Sequence, residues 1–149
     1  AQTVFLALPY AAAAEVLQQL DVSGKTLIDI SNPVTADFQN LSLGFTTSAA
    51  EEIAKAAPQA AVVKGFNTVF AQLLDPAARS GQTVQVFLAA DDEEAKKRAA
   101  ALTADMGFKA VDAGGLRNSR FLEPLGEMNI LFGFFLGKGT GIAPMWSGL

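Results

Sequence analysis

Five short runs of strand-forming residues recur along the chain, each closed by turn formers and separated by helical or irregular stretches. They are Thr3–Leu8, stopped by Pro9; Thr26–Ile30, stopped by Ser31-Asn32-Pro33; Ala61–Phe66, followed by Asn67-Thr68; Val84–Leu88; and Phe108–Asp112, followed by Ala113-Gly114-Gly115. Apolar runs this short suit strands buried on both faces. Strands of that kind alternating with helices are the signature of a parallel sheet with helices on its faces. The predicted fold is an α/β domain of three layers. With 149 residues and no internal repeat or linker, residues 1–149 read as one domain.

The helical segments follow from spacing and caps. Ala11 to Leu20 places Val16, Leu17 and Leu20 on one face. Ser48-Ala49-Ala50-Glu51 is a capping-box pattern that predicts a helix from about Ala49 to Ala57, ended by Pro58. A short helix is expected over Phe70–Leu74. Asp91 and Glu94 approximate a second capping box, opening a helix that stops at Gly107, with Glu93–Lys97 and Glu94–Arg98 as i,i+4 pairs. A last helical region is expected from about Asn118 to Phe135, with Pro124 marking a kink or a start. Residues 36–47 read as a loop, and the apolar tail beyond Gly137 as irregular.

Composition removes many chemistries. The chain contains no cysteine and no histidine, which excludes disulfides, thiolate nucleophiles, Cys/His zinc sites and histidine bases. No carboxylate spacing suggests a metal. The net charge of −4, without a cationic stripe, speaks against nucleic acid as a partner. No leader is visible at Ala1-Gln2-Thr3, and the longest apolar stretch, Met128–Leu136, is too short for a bilayer, so the chain is expected to be cytoplasmic and not to engage a membrane. The apolar end (Phe132, Phe134, Phe135, Ile142, Trp146) points to a homodimer interface.

In parallel α/β sheets ligands bind outside the carboxyl ends of the strands. Leu8-Pro9-Tyr10, Ser31-Asn32-Pro33 and Phe66-Asn67-Thr68 each follow a predicted strand and form the candidate crevice. A Gly-x-Gly-x-x-Gly turn between strand and helix is missing. Gly137-Lys138-Gly139-Thr140-Gly141 follows a helix instead, and reads as a hinge. In Asp112–Arg120, Arg117 and Arg120 suit an anionic ligand; the structural alternative has Asn118 or Ser119 capping the last helix while Arg120 pairs with Glu123.

Taken in order, Val4–Tyr10, Asp29–Pro33, Ser48–Glu51, Val63–Thr68, Asp91-Asp92 and Asp112–Arg120 resemble the family of the deazaflavin (coenzyme F-420) dependent NADP reductases, and the cytosolic domain of the six-transmembrane metalloreductases. The resemblance implies a Rossmann-like fold, N-terminally truncated by about two βα repeats of roughly 30 residues each, with a C-terminal helix and apolar tail. It implies an oxidoreductase moving hydride between NADP(H) and a deazaflavin or flavin. The alternative is a non-catalytic nucleotide-fold module. By resemblance, Leu8, Pro9 and Tyr10 lie along the ribose and nicotinamide, Asn32 and Pro33 near the nicotinamide, and Phe66, Asn67 and Thr68 where the two cofactors meet. Gly114, Gly115 and Leu116 would help form the second cofactor's pocket. No catalytic side chain is expected, because direct hydride transfer needs two rings held in register more than it needs an acid or base.

Overall fold

The computed structural model describes residues 1–149. Strands β1 (Thr3–Leu6), β2 (Thr26–Asp29) and β3 (Ala61–Lys64) form one parallel ladder in that order, with Thr3 beside Thr26 and Thr26 beside Ala61. Strands β4 (Gln85–Leu88) and β5 (Lys109–Asp112) form a second parallel ladder. All five expected strands are present, trimmed at their ends. The ladders meet at a single antiparallel bridge, where Lys64 and Ala89 exchange backbone hydrogen bonds of 2.8 and 3.1 Å. The sheet is therefore parallel within each ladder and reverses sense between them. A parallel neighbour needs a crossover that carries the chain back to the starting end. Residues 65–84 hold only two 3-10 turns, Ala71–Leu74 and Pro76–Arg79, so β4 enters from the rim where β3 leaves.

Three layers follow from the period of two in each strand. Leu27 and Val62 face helices α1 (Tyr10–Leu17) and α2 (Ala49–Ala56), packing with Leu17, Val22 and Ile53. Their neighbours Ile28 and Val63 face the other way, packing with Ala95 and Ala99 of helix α3 (Glu93–Asp105) and with Phe108. Helix α4 (Ser119–Ile130) continues as a π-helical turn, Leu131–Phe135, and sets Leu122 against Phe87 and Ala89. Pro124 lies inside α4 and does not start it. The tail returns to β4: the buried Gln85 side chain donates to the Trp146 and Leu149 carbonyls and accepts the Trp146 N–H.

Several expected polar partners differ in the folded chain. Ser48 caps α2 through its Oγ, which accepts the Glu51 N–H and donates to the Glu51 carboxylate. Asp92, not Asp91, caps α3, and Asp91 instead accepts the Leu116 N–H at 2.8 Å. Lys96 and Lys97 pair at i,i+3 with Glu93 and Glu94, while Arg98 donates to Thr26 Oγ1. Arg120 makes two bonds to Glu51, of 2.8 and 3.0 Å, and does not pair with Glu123. Neither Asn118 nor Ser119 caps α4 through its side chain; Asn118 Nδ2 donates to the Ala113 carbonyl. For Asp91, Arg98 and Arg120 the cause is a long-range partner that local spacing does not contain, whereas Lys97 and Asn118 take local partners other than those expected.

Candidate functional site

The loops leaving β1 and β2 open on a hollow of about 410 Å³. Leu8, Pro9 and Tyr10 form one wall, Ser31 and Asn32 the base, and Val34, Phe38 and Ile130 the far side. No lysine or arginine lines it, so its walls offer apolar surface and uncharged polar groups and no cation to meet an anionic group. Tyr10 is a phenol held above its usual pKa, first by burial and then by the negative charge of Glu52, Glu123 and Asp29, and it stays a neutral donor.

Beneath the hollow, the loop after β2 is tied to the loop after β3. Asn32 Nδ2 donates to the Asn67 carbonyl at 2.7 Å, and Asn67 Nδ2 donates back to Asn32 Oδ1 at 2.9 Å and to the Leu122 carbonyl at 2.7 Å. Asn67 Oδ1 is buried and accepts no bond from the protein. Gly126 of α4 lies against the Asn32 side chain, and Asn129 of α4 donates to the Thr68 carbonyl at 3.2 Å. Helix α4 thus closes the rim from one side.

Under this amide pair sits a buried charge cluster. Lys64 Nζ donates to Asp29 Oδ2 at 2.6 Å and to the Ser31 carbonyl at 2.6 Å, and lies 2.9 Å from Glu123 Oε1. Glu123 also accepts the Ala49 and Ala50 N–H groups at the start of α2. Asp29 Oδ1 accepts from both the N–H and the Oγ of Ser31. All three charged side chains are at most 1% exposed. Burial pushes the Glu123 carboxyl above the ordinary range, opposed by Lys64 and the two α2 amides.

The candidate residues divide clearly. Leu8, Pro9, Tyr10 and Asn32 line one hollow, with Asn67 bonded beneath them. Pro33 is buried, and its carbonyl accepts from the N–H and Oγ of Ser42, closing the following loop. Phe66 does not face the hollow: with φ of +61° it turns into the core, edge-on to Phe5 and Phe108. Thr68 is buried, and its carbonyl serves α4. Gly114, Gly115 and Leu116 lie at the opposite rim. Leu116 borders a separate hollow with Gln59, Ala60, Ala61 and Val62, at the start of β3. The reversed second ladder is the reason, because it sends the carboxyl end of β5 to the amino end of β3.

Sequence reasoning gives Lys64, Gly126 and Asn129 no role, and Glu123 only a pairing with Arg120 that the structure does not make. The available signal was a lysine closing an apolar strand and a glutamate and an asparagine inside an apolar helix, since such residues are seldom buried without partners. No group of three metal-ligating side chains gathers anywhere, and no helix is long and apolar enough to cross a membrane.

Parallel ladders with helices on both faces define an α/β domain of the Rossmann-like class. The crystal structure of a candidate F420-dependent NADP reductase from Arthrobacter sp. FB24 superposes with a TM-score of 0.89 at 29% identity, over 99% of this chain and 70% of that one. An Aspergillus terreus reductive aminase in complex with NADPH and ethyl levulinate, at 17% identity and TM-score 0.58, shares the fold. In sequence, rat metalloreductase STEAP3 is 34% identical over 116 residues, 78% of this chain and 22% of that protein. The F420-dependent NADP reductase of Methanocaldococcus jannaschii is 28% identical over 147 residues, 93% of this chain and 66% of that protein. No family model matches. Over most of its length the chain is distantly homologous, at 28–34% identity, to the F420-dependent NADP reductases and the STEAP metalloreductases, and it spans only part of the length of these relatives.

Proposed function

We propose that this chain seats the nicotinamide end of NADP(H) in the hollow beside Pro9 and Asn32 and presents it to a deazaflavin (coenzyme F-420) or flavin ring. The observation that carries this reading is the tie between Asn32 and Asn67, which draws the ends of β2 and β3 together beneath a wall made by Leu8, Pro9 and Tyr10. When both cofactors are bound they supply the hydride donor and acceptor. The chain's own residues supply position: Pro9 and Leu8 give an apolar wall, Tyr10 a neutral donor and Asn32 a polar edge. Holding two reactants in register accounts for roughly 7–11 kcal/mol of barrier lowering in favourable cases. The absence of histidine and cysteine is consistent with chemistry of this type. Phe66, Thr68, Gly114, Gly115 and Leu116 take no part in the proposed slot.

Calorimetric titration of the chain with NADP⁺, followed by NADPH oxidation with each acceptor, tests the proposal. Saturable binding and loss of nicotinamide absorbance with a deazaflavin or flavin are expected. Binding without turnover for any such acceptor overturns hydride transfer and favours the nucleotide-binding module.

The same reading includes a homodimer. Phe121, Leu125, Met128 and Trp146 border an apolar groove of about 470 Å³ over β4 and β5, and Phe121 is 69% exposed. Phe132, Phe134 and Phe135 extend the patch along the end of α4. A second copy covering this face gives twice the chain mass in light scattering; a monomer at high concentration overturns the dimer.

A further inference from the structure

We propose that the Asp29–Lys64–Glu123 cluster is a positioning device for the Asn32–Asn67 pair, so that Lys64 governs how the hollow binds a nicotinamide ring that Lys64 itself never touches. The claim about binding rests on the functional reading above; the claim about the amide pair stands on geometry.

Each member of the cluster is wired into the amide network at short range. Lys64 holds the Ser31 carbonyl at 2.6 Å, one residue before Asn32. Asp29 holds the N–H and Oγ of the same Ser31. Glu123 follows Leu122, whose carbonyl takes Asn67 Nδ2 at 2.7 Å. Lys64 lies three residues before Asn67 along a segment bent by the left-handed φ of Phe66. One ammonium therefore fixes the turn that carries Asn32, the helix that anchors Asn67, and the start of the loop that bears it.

Stability is a poor reason for such a cluster. Apolar side chains of similar volume often serve a buried site as well as an ion pair, because burying charge is costly. An apolar trio here has no donor for the Ser31 carbonyl and no acceptor for the Ala49 and Ala50 N–H groups. Directional control of the turn is what the charged version adds. Lys64 is fully buried and does not border the hollow, so its role is positional and not catalytic.

The test compares wild-type chain, Lys64→Met, Glu123→Gln and a core variant, Leu73→Ala, which lies outside the cluster. Two readouts are taken below every melting temperature: the NADP⁺ dissociation constant, and the side-chain amide NMR signals of Asn32 and Asn67. Lys64→Met is expected to lose the protected amide signals and to weaken NADP⁺ about tenfold or more, and Glu123→Gln to do so more mildly. Leu73→Ala is expected to lower the melting temperature while keeping both properties. Lys64→Met with intact amide signals and wild-type affinity overturns the proposal. Should Lys64→Met not fold, an unchanged Glu123→Gln overturns it equally. Should the wild-type chain bind no NADP⁺, the functional reading falls and the amide signals alone decide this inference.

Discussion

Lys64→Met is expected to destabilise the fold by about 3–5 kcal/mol, the usual cost of removing one partner from a buried ion pair. The loss is large because two carboxylates remain where one ammonium served both. Asp29 keeps the N–H and Oγ of Ser31, and Glu123 keeps the two α2 amides, but both stay fully buried. The deficit depends on pH, and its sign follows from Glu123. Burial already raises this carboxyl, and Lys64 is the chief group opposing that rise. A carboxyl raised in the folded state favours folding below its unfolded pKa, and that contribution is lost as pH rises through its folded pKa. Without Lys64 the folded value climbs further, so more stability is lost and over a wider span. Tyr10 and Glu52 are the other titratable groups that share the field of these carboxylates, and the Tyr10 phenol, itself raised, stays neutral throughout. Urea denaturation from about pH 5 to about pH 8 should show the gap to wild type narrowing toward acid. A gap that stays constant, or a variant as stable as wild type, contradicts the buried cluster.

Gly126→Ala is expected to cost about 1–3 kcal/mol and to weaken nicotinamide cofactor binding, against the simple rule for helices. In an exposed helix interior the same change gains about 1 kcal/mol. Here a methyl group on Gly126 would stand 2.8 Å from Asn32 Cγ and Nδ2, and nearer still to Oδ1. Asn32 cannot swing away without breaking both bonds to Asn67. Each is worth roughly 0.5–1.5 kcal/mol net, and leaving its buried partner unpaired costs about 1–3 kcal/mol. Packing therefore outweighs propensity. Pairing Gly126→Ala with Asn32→Ala isolates the contact: the double variant should be more stable than the two single losses predict, by about 0.5–3 kcal/mol. Additive losses, or a stabilised Gly126→Ala, remove Gly126 from the account of the site.

The strands, most of the helices and the three-layer class were legible because their causes are local. Leu27-Ile28 and Val62-Val63 are consecutive apolar residues, and a strand sends consecutive residues to opposite faces, so both faces had to be covered. Ser48 announced α2 because a cap acts over three residues. The convergence of Pro9 and Asn32 was legible for a similar reason: parallel strands put their carboxyl ends on one rim.

What local signals do not contain is the partner that arrives from elsewhere in the chain. Glu123 goes to Lys64, 59 positions away, leaving Arg120 to Glu51, and no spacing rule selects between them. Gly114–Leu116 leave the site because β4 and β5 run against β1–β3, and strand direction is set by how residues 65–84 return, not by the strands. The amino-acid order alone determined which segments are strands and helices and which loops crown the first ladder, since these are short-range consequences of burial period and backbone freedom. Only tertiary structure decided which loops turn away from that rim and which buried charges hold the hollow in shape, because pairing and desolvation energies exist only once distant residues are brought within a few ångströms.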